Sequence, residues 1–219
     1  MSKANFLRSI IFAGVAAITC VTMMASTVRA DAVTPGLTFT VARNDINELR
    51  FRSNSMSNPP NKAEVGTFQV FELIRGMSEF NLAGLTPGSA TLTFNVFREG
   101  GLTGQPPGNF DIFISAYQGN NAENLSDFNI ATLGTVGTFN TTGLVVGQTL
   151  SFDVTSAYNS TLANGFSSLG IRLQPAPIFN SAYTFDTFRL STTAVPEPTT
   201  IFLLGTGLMG IAVKVLRRR

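Results

Sequence analysis

Between residues 37 and 190 the chain alternates apolar and polar positions with a period of two. In the run from Ala90 to Val96, Leu92, Phe94 and Val96 fall on one side and Thr91, Thr93 and Asn95 on the other. Phe110, Ile112, Ile114 and Ala116 alternate with Asp111, Phe113, Ser115 and Tyr117. Leu150, Phe152 and Val154 alternate with Ser151, Asp153 and Thr155, and Leu169, Ile171 and Leu173 with Gly170, Arg172 and Gln174. Successive side chains of a strand point to opposite faces, so each run predicts a strand covering a core with one face. Further strands are expected over Leu37–Ala42, Gly66–Ile74 and Tyr183–Leu190. Turn residues separate the runs at Asn58-Pro59-Pro60-Asn61, Thr86-Pro87-Gly88, the loop from Glu99 to Gly108, Gly119-Asn120-Asn121 and Gln174-Pro175-Ala176-Pro177. Only over Ser156–Leu162, where the alternation lapses, is a helical turn expected. About eight to ten short strands with long connections predict an all-β fold, an antiparallel β-sandwich with the jelly roll as its expected arrangement.

The two ends depart from this pattern. Met1 to Ala30 has a basic start in Lys3 and Arg8 and an apolar stretch from Ile10 to Ala25. It closes on Val28-Arg29-Ala30, with Val28 and Ala30 at the two positions a signal peptidase reads. That predicts a cleavable N-terminal signal helix over 1–30 and a mature chain starting at Asp31. At the other end stand Val195-Pro196-Glu197-Pro198, an apolar stretch from Thr199 to Leu216, and Arg217-Arg218-Arg219. The two prolines hold the backbone extended and withhold donors from any helix or sheet, which marks a stiff boundary. The stretch behind them has the apolarity of a short transmembrane helix, with Lys214 close enough to one end to snorkel. The three arginines keep the C-terminus in the cytoplasm. The chain thus divides into 1–30, an exported domain over 31–194, and a tail over 195–219.

This tail, from Val195-Pro196-Glu197-Pro198 to Arg217-Arg218-Arg219, resembles the PEP-CTERM sorting signal of bacterial surface proteins. The resemblance implies that a membrane-embedded exosortase recognises the tail and removes it. Signal peptidase, the exosortase and, transiently, the inner membrane are then the partners of a membrane-anchored precursor. The implied destination is the cell envelope, the surface or the extracellular medium. A second resemblance lies inside the exported domain. Arg75-Gly-Met-Ser-Glu-Phe-Asn-Leu-Ala-Gly-Leu85 followed by Ser89-Ala-Thr-Leu-Thr-Phe94, with Ser151–Thr155 and Gly165–Leu173 downstream, is similar to the DNRLRE family. That likeness, over roughly Phe71 to Leu190, implies a jelly roll grouped with carbohydrate-binding modules. The chain has no Trp, which those domains commonly carry.

Charge changes meaning once the ends are set aside. The whole chain is +2, but between Asp31 and Ala194 the basic residues are only Arg43, Arg50, Arg52, Lys62, Arg75, Arg98, Arg172 and Arg189, against twelve acidic ones, a balance near −4. A nucleic-acid partner needs a basic patch, and the sequence offers none. The one cysteine, Cys20, leaves with the signal, so the exported domain has no disulfide and no thiol chemistry. It also has no His, and its one lysine, Lys62, sits in a turn and reads as a solvated charge. Ser-His-Asp and Cys-His catalysis and His- or Cys-based zinc sites are therefore absent from it. A glycosidase would need two carboxylates within about 10 Å in a cleft. Its acids are scattered singly, so the chain is expected not to be an enzyme, and no cofactor is required.

Two features invite a ligand. The loop from Tyr117 to Asp127 offers Glu123, Asp127 and several Asn carbonyls, oxygen donors of the kind calcium takes, although their spacing matches no calcium loop. Sugar binding asks for an exposed aromatic ring with polar neighbours. Among the three tyrosines, Tyr117 beside that loop is the candidate contact. Two function classes follow. One is a non-catalytic envelope or matrix protein with a structural, biofilm or exopolysaccharide-associated role. The other is a carbohydrate-binding module for a surface or extracellular polysaccharide.

Overall fold

The alternating runs do form strands, and the two longest apolar alternations lie across the core from each other. A computed structural model describes residues 31–52, 60–69 and 72–194. Among these are β1 (Asp31–Pro35), β2 (Leu37–Asn44), β3 (Leu49–Phe51), β4 (Ala63–Phe68), β5 (Glu72–Asn81), β6 (Gly88–Arg98), β7 (Asp111–Gln118), β8 (Thr132–Asn140), β9 (Thr149–Asp153), β10 (Ser168–Pro175) and β11 (Ala182–Ala194). One 3-10 turn (Leu125–Phe128) and one α-helix, α1 (Thr155–Ala163), complete the inventory. Residues 31–193 form one unit. Among the described residues no helix is long and apolar enough to cross a membrane. The expected signal over 1–30 and the expected membrane helix over 195–219 lie outside the described residues.

Hydrogen bonds run in one path through β8-β7-β10-β5-β4-β11-β6-β9, with β1 on β11, β2 on β5 and β3 on β2. The pairings of β5 with β2, β4 and β10 are all antiparallel, as are those of β7 with β8 and β10 and of β6 with β9. The main core joins the two halves of that path. Ile112, Ile114 and Ala116 of β7, Leu169, Ile171 and Leu173 of β10 and Phe80 of β5 pack in one cluster with Leu92, Phe94 and Val96 of β6 and Phe185, Phe188 and Leu190 of β11. The fold is therefore mostly β, antiparallel and sandwich-like. Phe94 is its aromatic centre, with ring centroids of Phe188 at 4.7 Å, Phe185 at 5.4 Å and Phe152 at 5.6 Å. Each such ring contributes about 1.5–3 kcal/mol through removal from water.

The helical turn expected over Ser156–Leu162 becomes α1. Asp153 Oδ1 accepts the Thr155 N–H at 2.8 Å, satisfying one of the orphan donors at the helix start. Asn159 accepts the Gly88 N–H at 3.0 Å and donates to the Gly88 carbonyl at 2.9 Å, while Tyr158 OH donates to Thr86 O at 2.7 Å. Together they tie the helix to the Thr86-Pro87-Gly88 turn.

One expected strand is corrected. Gly66–Ile74 is not continuous: β4 ends at Phe68, Gln69 adopts φ 53°, and β5 pairs back on β4 with Gly66 opposite Ile74 and Phe68 opposite Glu72. The reversal carries no Gly or Pro and the apolar positions run on through it, so the pattern hides it. β8 was not anticipated either. It holds Gly134 and Gly137 and is largely exposed on the outer flank of β7, so no apolar alternation marks it.

A second, smaller cluster covers the opposite face of the β2-β5-β10-β7 layer. Phe39 and Val41 of β2, Met77 of β5 and Phe128 of the 3-10 turn are buried together, with Leu73 and Leu125 packed against them. The loop after β7 thus folds back over the face that alternation alone assigns to solvent.

Candidate functional site

Three neighbouring strands bring Glu79, Gly170 and Tyr117 into one row, because Gly170 of β10 is opposite Glu79 of β5 on one side and Tyr117 of β7 on the other. A Cβ at Gly170 would overlap the Tyr117 ring, so the glycine lets that ring lie across β10 toward Glu79. The returning loop then adds Asp127 from above. Tyr117 is 0% exposed, Glu79 1% and Asp127 2%. Tyr117 therefore cannot offer its ring to a sugar, which corrects the expectation for it. It lies on the polar side of the β7 alternation as predicted, but the loop seals that side.

Glu79 is held from one side only. Its Oε2 accepts the N–H groups of Asn120 at 2.8 Å and Asn121 at 2.6 Å, and Ser168 Oγ donates to it at 3.5 Å. Glu79 Oε1 and Asp127 Oδ2 are buried with no hydrogen-bond partner. Burial first, then the charge of Glu79, pushes the Asp127 carboxyl up to about 6. Burial, then the charges of Glu79 and Asp127 and a side-chain hydrogen bond with Glu79, raises the Tyr117 phenol as well. The two residues expected to act together, Glu123 and Asp127, differ in setting: Glu123 is half-buried on the loop, whereas Asp127 faces Glu79. Among the described residues no three acidic, His or Cys side chains gather as metal ligands. Glu79 was not foreseen. The one available signal is a carboxylate on a strand whose neighbours Met77 and Phe80 are core residues.

Beside this buried group three arginines surround Phe128. Arg75 and Arg172 both donate to the Phe128 carbonyl, Arg172 at 3.2 Å, and Arg172 also reaches Ile130 O at 3.0 Å. Arg75 lies 4.2 Å and Arg43 5.3 Å over the Phe128 ring. Burial, then the charges of Arg172 and Arg43, lowers Arg75 to about 10. Two further ionic groups are structural. Arg52 bridges Glu64 at 3.1 Å and Glu72, which also meets Arg50 at 2.7 Å. Lys62 pairs with Asp186 at 2.6 Å and stands 4.0 Å over the Phe97 ring, so it is a tied charge rather than the solvated one expected.

An open cleft of about 450 Å³ lies at the end of the sandwich formed by the β2–β3 turn, the end of β4 and the loop before β11. Arg43, Asn44, Asp45, Asn47, Gln69 and Glu72 give it a polar lining, with Leu73, Ile178 and Phe179 as its apolar part. Phe179 is 65% exposed. Local bonds shape the rims. Asn44 Oδ1 accepts the Glu48 N–H at 2.7 Å, Thr67 Oγ1 donates to Ile178 O at 3.0 Å, and the Gln69 N–H donates to Asn180 Oδ1 at 3.2 Å. Phe179 lies outside every alternating run of the sequence. An aromatic two residues beyond the Gln174–Pro177 turn was the available signal, since core phenylalanines sit in alternating runs.

Residues 194–219 match the PEP-CTERM protein-sorting motif. The motif indicates an exported, exosortase-processed protein. No curated protein matches the chain. Among solved structures the chain is similar to one described as "CBM4 structure and function", at 11% identity, TM-score 0.34, covering 76% of this chain and 81% of that one. It is similar to a family 35 carbohydrate binding module from Clostridium thermocellum at 10% identity, TM-score 0.31, covering 74% and 97%. A third likeness, latent aurone synthase, has 12% identity, TM-score 0.32, and covers 70% of this chain but 27% of that one.

Proposed function

We propose that this chain is an exported bacterial envelope or extracellular-matrix protein, sorted by an exosortase, whose β-sandwich has a non-catalytic, structural or exopolysaccharide-associated role. The sorting motif over 194–219 carries the reading. It begins at the last residue of β11, so the residues it would release or attach are the folded unit itself. The strand arrangement we propose is a jelly roll, in line with the DNRLRE resemblance. The non-catalytic role rests on the acids of the cleft. Asp45 and Glu72 both line it, but Glu72 accepts from Arg50 and Arg52 with its two oxygens and is no free acid or base. Neither the membrane nor a nucleic acid is a lasting partner in this reading, and no cofactor takes part in it.

The second reading, recognition of a surface or extracellular polysaccharide, is favoured by one specific observation. Phe179 is an exposed flat ring on the wall of a polar cleft, the pairing of apolar face and hydrogen-bonding side chains that sugars require. Retention of the exported protein on a panel of immobilised polysaccharides separates the readings. Binding to one polysaccharide that falls at least tenfold in Phe179→Ala, and is unchanged in Phe113→Ala, supports recognition at the cleft. No retention on any polysaccharide supports the matrix role alone.

A further inference from the structure

We propose that this protein is displayed with its cleft outward: both chain ends leave the folded unit at one pole and the Phe179 cleft opens at the other, so that it takes a glycan chain from beyond the surface that carries it. Outward display builds on the sorting and polysaccharide readings of the chain; the polarity comes from the strands themselves. β1 pairs with the end of β11, Asp31 opposite Thr193 and Pro35 opposite Arg189. Residues 1–30 and 195–219 therefore connect to the unit at neighbouring points of one ladder. α1 and the Thr86–Gly88 turn mark the same pole, since Tyr158 OH donates to Thr86 O at 2.7 Å and Tyr158 also bonds the Thr192 side chain.

The cleft stands at the far end of the same strands. β11 runs through 13 residues, up to about 40 Å at ~3.3 Å per residue, and starts at Ala182, opposite Gly66 near the end of β4. Ile178 and Phe179 just before β11, Thr67 and Gln69 at the end of β4 and Glu72 at the start of β5 all line the cleft. β2 has the same polarity. It begins opposite Glu79, directly after β1, and ends at Asn44 opposite Glu72, where the turn to β3 supplies Asp45 and Asn47. Two separate paths, β1–β2 and β11, thus join the pole of the chain ends to the pole of the cleft.

Exposed apolar side chains follow this division. Phe179, Ile46 of the β2–β3 turn, and Val145 and Val146 are exposed at the cleft pole, against Val33 on the chain-end ladder and Phe113 and Leu133 on the β7–β8 flank. The turn with the two valines is fixed to the end of β6, Gly147 N–H donating to Val96 O at 2.8 Å and Val96 N–H to Gln148 O at 2.9 Å. The loop after β6 in turn meets the start of β11, where Ala182 N–H donates to Pro106 O at 3.0 Å. Exposed apolar side chains gathered at one place mark a contact surface, here around a polar cleft. Attachment decides which partner reaches it. β11 ends at Ala194, where the sorting motif begins, so few residues separate the chain-end pole from the motif. The prolines of Pro196-Glu197-Pro198 stiffen that spacer. A unit attached through it turns its chain-end pole to the carrying layer and holds the cleft away from it.

The test uses thiol labelling, because no cysteine lies between residues 31 and 194 and an introduced one is the sole thiol there. Ile46→Cys places it at the cleft pole. Ala83→Cys, in the exposed turn after β5, and Ser160→Cys, on the exposed side of α1, place it at the chain-end pole. The probe is a polymer-linked maleimide that does not cross membranes, added to intact cells and to the same protein released from them. Ile46→Cys should label on cells at its released rate, whereas Ala83→Cys and Ser160→Cys should be slowed several-fold. A Tm equal to the parent's separates shielding from misfolding, and the two chain-end positions check each other. Equal slowing at both poles, slowing at neither, slowing of Ile46→Cys alone, or protein found only in the medium would overturn outward display. Failure on the polysaccharide panel would instead remove the glycan as occupant while leaving the labelling pattern intact.

Discussion

Phe94 shows how much of this protein rests on single aromatic residues. Its ring is fully buried and touches rings on β9 and β11, including two stacked neighbours. Phe94→Ala should cost about 3–5 kcal/mol, the range for an aromatic lost from a core that cannot collapse into the space. Urea unfolding read by tyrosine fluorescence would measure it; a loss below about 1 kcal/mol would mean that the two halves of the sandwich are not joined here. The position of Phe94 was legible in the alternation of Leu92, Phe94 and Val96, because a strand with one buried face records its orientation in every second residue. Tyr117 was legible only in part. The period placed it on the side away from the main core, correctly, but that face is covered by a loop that folds back with Phe128 and Leu125, a long-range event that local period does not encode. Glu79 and Phe179 were missed for the same reason, since a carboxylate in a strand and a phenylalanine in a loop acquire their roles from what packs beside them.

Among the elements, the junction of β3, β4 and β5 is bound by charge. Arg52 follows β3, Glu64 lies in β4 and Glu72 opens β5, and all three are buried. Burial raises the Glu64 carboxyl above its ordinary value of 4.5, and the Arg52 guanidinium offsets this only in part. A carboxyl raised in the folded state stabilises below its unfolded pKa, and that contribution is lost as pH climbs through the folded value. The parent should therefore lose ground relative to Glu64→Gln as pH rises from 4 through the window above 4.5. Paired urea titrations at pH 4 and pH 7 would show it; a gap that moves toward the parent at pH 7 would mean that Arg52 outweighs the burial cost. This cluster could not be read from the sequence, where its members are 12 and 8 positions apart, because the β4–β5 reversal brings Glu64 to Glu72 and the pairing of β3 on β2 and β2 on β5 brings Arg52 to both. The reversal itself was hidden by apolar positions that continue through it. The helical lapse at α1 was readable, since Tyr158 and Asn159 break the two-residue period.

For the whole molecule, the chain's basic balance belongs to its two ends, and the folded unit between them is acidic and free of cysteine. That division follows from local chemistry: prolines that stop pairing, an apolar stretch and an arginine cluster are contiguous, so a sequence displays them without folding. Replacing Pro196-Glu197-Pro198 with three alanines should accordingly block removal of the tail while leaving export intact. The most direct measurement is the intact mass of the protein recovered from the envelope or medium, for the parent and for this variant. The parent should begin at Asp31 and lack the apolar stretch from Thr199 to Leu216, and the variant should retain it. A parent mass that includes Arg217-Arg218-Arg219, or a variant processed to the same mass as the parent, would contradict exosortase sorting.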